Sequence, residues 1–250
     1  MNFLLKTKQY YSKWLGEENV LCNDFDGIKF IYSSERNKSQ AGYAQQFDLY
    51  IFVQPNKVFV SYGDNALGKI EELKKLISYD LSLNSLINVL KGLWSECIIE
   101  HSVKYVYDKI PKLKLYSTSL KKGEYLNFLE FFLKCNPTCE NTDWVYDYYL
   151  KMIESRFCCG YFLDGMLVSC TDTPDMPYME NEAQEIGVNT LQEYKQKGYA
   201  TDVCIMSVKK IIKNGKCPLW STSIDNIASQ KLSEKTGFKK FADVITITIR

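Results

Sequence analysis

Two neighbouring stretches decide the reading: Glu185-Ile186-Gly187-Val188-Asn189-Thr190 and Lys195-Gln196-Lys197-Gly198-Tyr199-Ala200-Thr201. The first predicts a strand from Gln184 to about Asn189. The second opens a helix predicted over 199–213, because Ala200, Val203, Cys204, Val208, Ile211 and Ile212 recur at offsets of three and four and share one face. Lys209, Lys210 and Lys213 fall towards its solvent side and its C-terminus. Gly215 suits the position just past the helix, and Pro218 blocks any continuation.

The start of that helix has chemistry of its own. The first backbone N–H groups of a helix have no internal partner, and the macrodipole adds partial positive charge there. Glycine at the turn lets backbone approach a phosphate without an intervening Cβ. Lys195 and Lys197 bring cationic side chains to the same point. Together these parts describe a pyrophosphate cradle. Taken alone, the short motif fits an ordinary strand–loop–helix connection equally well.

A second motif settles the choice. After a predicted strand Leu219–Ser223 comes Asn226-Ile227-Ala228-Ser229-Gln230-Lys231-Leu232-Ser233-Glu234-Lys235-Thr236-Gly237-Phe238, an asparagine-led helix closing on Gly-Phe. The pair, in this order, resembles the GNAT superfamily of acetyl-CoA-dependent N-acetyltransferases, whose signature is Arg or Gln, two free positions, Gly, one free position, then Gly or Ala. Lys195, Gly198 and Ala200 occupy those places. The resemblance covers residues 113 onward and implies an α/β (α+β) fold. Its central sheet is mixed and mostly antiparallel with flanking helices, and two strands splay to admit the pantetheine arm. It also implies roles. Val188 and Thr190 would offer backbone groups to pantetheine, and Lys195 and Lys197-Gly198-Tyr199-Ala200-Thr201 would hold the pyrophosphate of acetyl-CoA. Asn226 would lie at the thioester end. Glu185 is the candidate general base, with Glu182 behind it; a solvated strand-end charge is the alternative reading of Glu185. Two departures stand out: Lys195 replaces Arg or Gln, and Ser233 replaces a tyrosine that many members use to protonate the leaving thiolate. Tyr199 and Tyr178 are the substitutes the sequence offers.

The chain has 250 residues, 46% hydrophobic and 24% charged, the composition of a globular protein. A net charge of +1 gives no global field to draw it to nucleic acid or anionic lipid. No apolar run reaches the roughly 20 residues of a membrane span, and no signal-like segment opens the chain. Nine scattered cysteines fit reduced thiols in a cytoplasmic protein. Cys135 and Cys139 lack a second ligand pair, so no metal site is expected.

A pattern break near Ile110-Pro111 divides a smaller N-terminal α/β domain, 1–110, from an acetyltransferase-like domain, 111–250. In the first part, strands are expected at 47–53, 58–62 and 103–107, with helices at 67–78 and 83–93. In the second, a strand near 113–118 precedes helices at 123–134 and 142–155 and a hairpin turning at Asp164-Gly165, with a last strand over 244–249. Because the chain ends soon after Phe238, the usual closing strand pair is short of residues, and an N-terminal hairpin is the candidate to complete the sheet. The first 110 residues could otherwise cap the acceptor cleft, form a homodimer interface or be a degenerate copy of the fold.

Between Asp172 and Glu185 the carboxylates Asp172, Asp175, Glu180 and Glu182 occur without a Lys or Arg. That run points to a cationic amine or basic peptide as acceptor, with an acidic surface loop as the alternative. The expected activity is acetyl transfer from acetyl-CoA to a primary amine. The other reading is a CoA-binding sensor or interaction module.

Overall fold

Asn2 starts the first helix, α1 (Phe3–Leu15), its side chain accepting the Leu5 N–H at 3.0 Å. Gly16 ends it at φ 80°, where a Cβ would strike the Ser33 hydroxyl. The structure, a computed structural model, describes residues 1–40, 45–77 and 82–249. Beyond α1 run β1 (Gly27–Tyr32), β2 (Leu49–Gln54), β3 (Lys57–Tyr62), α2 (Leu67–Leu76), α3 (Leu83–Leu93) and β4 (Ile98–Tyr107). Then come β5 (Thr118–Ser119), α4 (Tyr125–Cys135), α5 (Val145–Glu154), β6 (Cys159–Leu163), β7 (Met166–Asp172), β8 (Ala183–Glu185) and β9 (Gly187–Thr190). The chain closes with α6 (Tyr199–Lys213), β10 (Cys217–Ser223), α7 (Ile227–Thr236) and β11 (Phe238–Thr248).

Among the described residues the strands form a seven-stranded sheet, β1-β3-β2-β11-β4-β10-β8, and a four-stranded one, β5-β6-β7-β9. Pairing is antiparallel except for β1 with β3 and β10 with β8. A strand buried on both faces reads as a continuous apolar run, and β2 is one. Its Leu49, Ile51 and Val53 pack with α2 and α3, whereas Tyr50 and Phe52 pack with Tyr11 and Trp14 of α1. On the same face as α2 and α3, α6 covers Val103, Tyr105 and Trp220 with Val203, Cys204, Val208 and Ile211. The small sheet rests on α4 and α5 through Phe128, Phe131, Tyr149 and Met152.

The boundary expected at 110 does not separate two sheets. β4 lies between β10 and β11, and β11 pairs with β2 on its other edge. The expected N-terminal hairpin, β2–β3, does join the C-terminal sheet, through β2 on β11, and a further N-terminal strand, β4, fills its middle. β4 is also longer than the 103–107 foreseen, and α1 and β1 were not foreseen at all. Of the strand expected near 113–118, Thr118 pairs with Gly160. The Tyr116 and Ser117 N–H groups donate instead to the Asp202 carboxylate, at 2.8 and 2.9 Å. The helix expected over 67–78 ends at Leu76, and residue 78 lies outside the described residues.

Candidate functional site

The strand predicted from 184 to 189 divides at Ile186. Up to that point it belongs to the large sheet, with Glu185 opposite Leu219 and the Ile186 N–H donating to the Leu219 carbonyl at 3.3 Å. From Gly187 on it pairs with β7 of the small sheet. β9 and β10 therefore diverge, and a slot opens between them. Leu191 donates to the Val168 carbonyl at 3.0 Å, which fixes the phase of the ladder. By the two-residue alternation of antiparallel pairing, Gly187 and Asn189 turn their peptide groups to β7, and Val188 and Thr190 turn theirs into the slot.

At the far end of β9 the chain turns into α6. Gln196 (φ 62°) and Gly198 (φ 91°) both take the left-handed conformation, and no side chain caps the helix at Gly198. A Cβ on Gly198 would meet no atom within 4 Å, so glycine serves the backbone angle and leaves the approach to the α6 N–H groups clear. The carboxylate in the first turn, Asp202, is buried and turned away to the 116–117 backbone. Lys197 lies over the Tyr194 ring at 5.1 Å, and Tyr199 packs on Tyr161 at 4.5 Å. These residues fit a nucleotide pyrophosphate: an uncapped helix start, a glycine turn and lysines beside it.

At the near end of the slot Glu185 accepts a hydrogen bond from the Ser221 hydroxyl. Register places Ser221 opposite Lys104 of β4, so Glu185, Ser221 and Lys104 stand side by side on the face that α1 covers. All three line a cavity of about 670 Å³, whose aromatic wall includes Trp14, Phe47 and Tyr50. The cavity reaches the end of β10, where Ile224 donates to the His101 carbonyl at 3.0 Å and the chain departs for α7. His101 bonds Asp243 at 2.9 Å. Lys104 is 7% exposed. Burial pushes its ammonium below lysine's ordinary range, and the Glu185 carboxylate pulls it partly back up.

Asn226 caps α7, its side chain accepting the Ser229 N–H at 3.0 Å. The Gly-Phe that follows this helix has a packing reason. Gly237 sits at φ 102°, where a Cβ would overlap the Lys109 carbonyl, and Phe238 is buried against Tyr107 and Trp220. Ser233 is fully buried and donates to the Gln230 carbonyl at 2.7 Å, with the Tyr105 hydroxyl bonded beside it. Neither substitute tyrosine reaches Ser233: Tyr199 opens α6 against Tyr161, and Tyr178 donates to Glu35 and Gln40 at 3.0 and 3.2 Å.

Of the acidic segment, Asp172 lies within reach of the Glu185 charge, which helps to raise its pKa. Asp172 is half-buried, bonded by the Tyr148 hydroxyl at 3.0 Å and pressed on Gly187; desolvation raises its pKa and that hydrogen bond partly restores it. Asp175 and Glu180 line a different cavity, between α5 and the 173–184 segment, together with Lys151 and Lys216. Glu182 is paired with Lys6 of α1. The charges that read as one patch along the chain are thus shared out and partly neutralised. Lys104 and the aromatic wall had been missed; the one available signal was a lysine within the apolar, alternating run Val103-Lys104-Tyr105-Val106-Tyr107.

A sequence model described as GNAT acetyltransferase matches residues 176–243, the segment that holds β8, the slot, the glycine turn and α7. No curated protein sequence matches. Among solved structures, a GNAT-family acetyltransferase from Colwellia psychrerythraea superposes with a TM-score of 0.55 at 16% identity, covering 83% of this chain and 82% of its own. A GCN5-related N-acetyltransferase from Sphaerobacter thermophilus gives 0.50 at 12% identity, covering 67% of this chain and 56% of its own. At such identities the likeness is one of fold, and the segment 176–243 is what this chain shares in sequence with the GNAT acetyltransferase model.

Proposed function

We propose that the protein transfers an acetyl group from acetyl-CoA to a primary amine by direct attack within a ternary complex. The observation that carries this reading is the parting of β9 from β10 at Ile186, which joins a phosphate-type turn at one end of a slot to a carboxylate at the other. In this reading the pyrophosphate lies on the Gly198 turn, and pantetheine runs along the Val188 and Thr190 peptide groups. The thioester then comes to the Glu185 end, beside the start of α7.

The chemistry needed is modest. An acceptor ammonium gives a proton to Glu185, directly or through one water, and the amine nitrogen attacks the thioester carbon. The carbonyl oxygen takes negative charge, for which a slot-facing N–H of β9 is the available donor. The C–S bond breaks, the thiolate leaves and the amide remains. Ser221 holds the Glu185 carboxylate in one orientation by its hydrogen bond. Ser233 offers no proton, since its hydroxyl is committed to Gln230; a CoA thiolate is a good enough leaving group to depart to solvent.

That committed hydroxyl is also the observation favouring the second reading, a module that binds acyl-CoA without efficient transfer. Release of free thiol from acetyl-CoA against a panel of amines separates the two. Amine-dependent release supports transfer. Tight acetyl-CoA binding with no release for any amine supports the module.

A further inference from the structure

A buried cation costs free energy unless an opposite charge or a set of hydrogen bonds meets it. Lys104 is such a cation, since it is 7% exposed and lines the Glu185 cavity. Among the described residues it enters no ion pair and no hydrogen bond, and the charge that acts on it is Glu185. β8 and β4 flank β10, so Glu185 and Lys104 stand two strand spacings apart, about 10 Å between backbones. Ser221 stands between them and bonds the carboxylate. The cavity therefore presents an anion and a cation that do not neutralise each other in an ion pair.

One further carboxylate, Asp172, lies in the field of Glu185 and adds to the negative end of the pair. Lys91, Glu100 and Asp225 are exposed at the rim, and His101 is engaged with Asp243. A second buried cation, Arg36, backs the aromatic wall, its guanidinium over the faces of Trp14 and Tyr50 at 5.6 and 5.3 Å and beside Tyr178 and Glu35. Its charge is met by Glu35, so it leaves the Lys104 end of the cavity as described.

We propose that the acceptor is a free α-amino acid with an apolar side chain: its ammonium at Glu185, its carboxylate at Lys104, its side chain against Trp14 and Tyr50. The inference rests on the acyltransferase reading and names its substrate class. It replaces the cationic acceptor suggested by the acidic segment, whose Asp175 and Glu180 line the other cavity.

The test uses matched pairs that differ by the carboxylate, phenylalanine against phenethylamine and leucine against isopentylamine, with wild type, Lys104→Met and Lys104→Arg. Wild type is expected to favour the amino acid by about tenfold or more in kcat/KM, the range of a hydrogen bond to a charged group. In Lys104→Met that ratio collapses towards one, and Lys104→Arg keeps part of it. A wild-type ratio near one, or a ratio unchanged in Lys104→Met, overturns the proposal. Calorimetric phenylalanine binding in the presence of CoA is a separate arm that needs no turnover. Lys104-dependent binding without thiol release for any amine would uphold the cavity assignment and sink acyl transfer. Thiol release with no Lys104-dependent preference would do the reverse.

Discussion

The two ends of the slot are built differently. The donor end is backbone: the Val188 and Thr190 peptide groups, the left-handed Gln196 and Gly198, and the uncapped start of α6 all come from one stretch between 188 and 201. The acceptor end is side chain: Trp14, Phe47, Tyr50, Lys104, Glu185 and Ser221 are gathered from α1, the β2 region, β4, β8 and β10. A site made of backbone tolerates changes that keep the φ angles and the open approach. A site made of side chains is altered one residue at a time. Under the proposed function this is a division of labour, in which a locally coded cradle would hold the donor and a non-local cavity would choose the acceptor.

Substitutions sharpen this contrast at different strengths. Glu185→Gln keeps the shape and removes the base, so kcat should fall by about 10²–10⁴ with acetyl-CoA affinity retained; steady-state kinetics beside calorimetry would show it. A loss confined to acetyl-CoA binding would move Glu185 to the donor end. Next comes Gly198→Glu, which puts a carboxylate where the approach to the helix N–H groups is clear and should weaken acetyl-CoA binding by about 100-fold or more. Gly198→Asn, which tolerates the left-handed angle, should cost far less. Equal losses in the two would mean that any side chain there closes the approach and that the added charge is not what matters.

Lys104→Met should stabilise the fold near neutral pH by about 1–3 kcal/mol, because it deletes a buried cation that has no ion-pair partner. The sign with pH follows from the lowered folded pKa. Between that value and lysine's ordinary one, the unfolded chain holds a proton that the folded chain has shed, so wild type gains stability as pH rises. The gap between the two proteins in thermal unfolding should therefore narrow towards alkaline pH. A gap that widens would mean that Lys104 is stabilised by a partner. Smallest of all is the double change Asp175→Asn with Glu180→Gln, expected to move the acceptor KM less than about twofold since neither residue lines the Glu185 cavity. A steep rise would restore the cationic acceptor.

The same division explains what the sequence discloses. The helix at 199–213 and the Asp164-Gly165 hairpin were legible, because apolar spacing and turn residues act over a few positions. Gly198 was legible as a clear approach to the helix start and Gly237 as the end of the second motif, but the left-handed angle that both take was not read from the sequence. The insertion of β4 between β10 and β11 was not, since it joins residues more than a hundred positions apart, and no local period encodes a partner. α1 went unread although Asn2 and Gly16 cap it, and with it went the aromatic wall. The acidic segment shows the opposite case: adjacency along the chain suggests one patch, whereas the fold half-buries Asp172, pairs Glu182 with Lys6 and sets Asp175 and Glu180 in a separate cavity.

The most direct test is thiol release from acetyl-CoA by the full-length chain, with and without a panel of amines and amino acids, run beside Gly198→Glu. Release that requires an acceptor and is lost in Gly198→Glu is the expected result. Acetyl-CoA bound by wild type, with no acceptor raising release above the blank, would contradict the account.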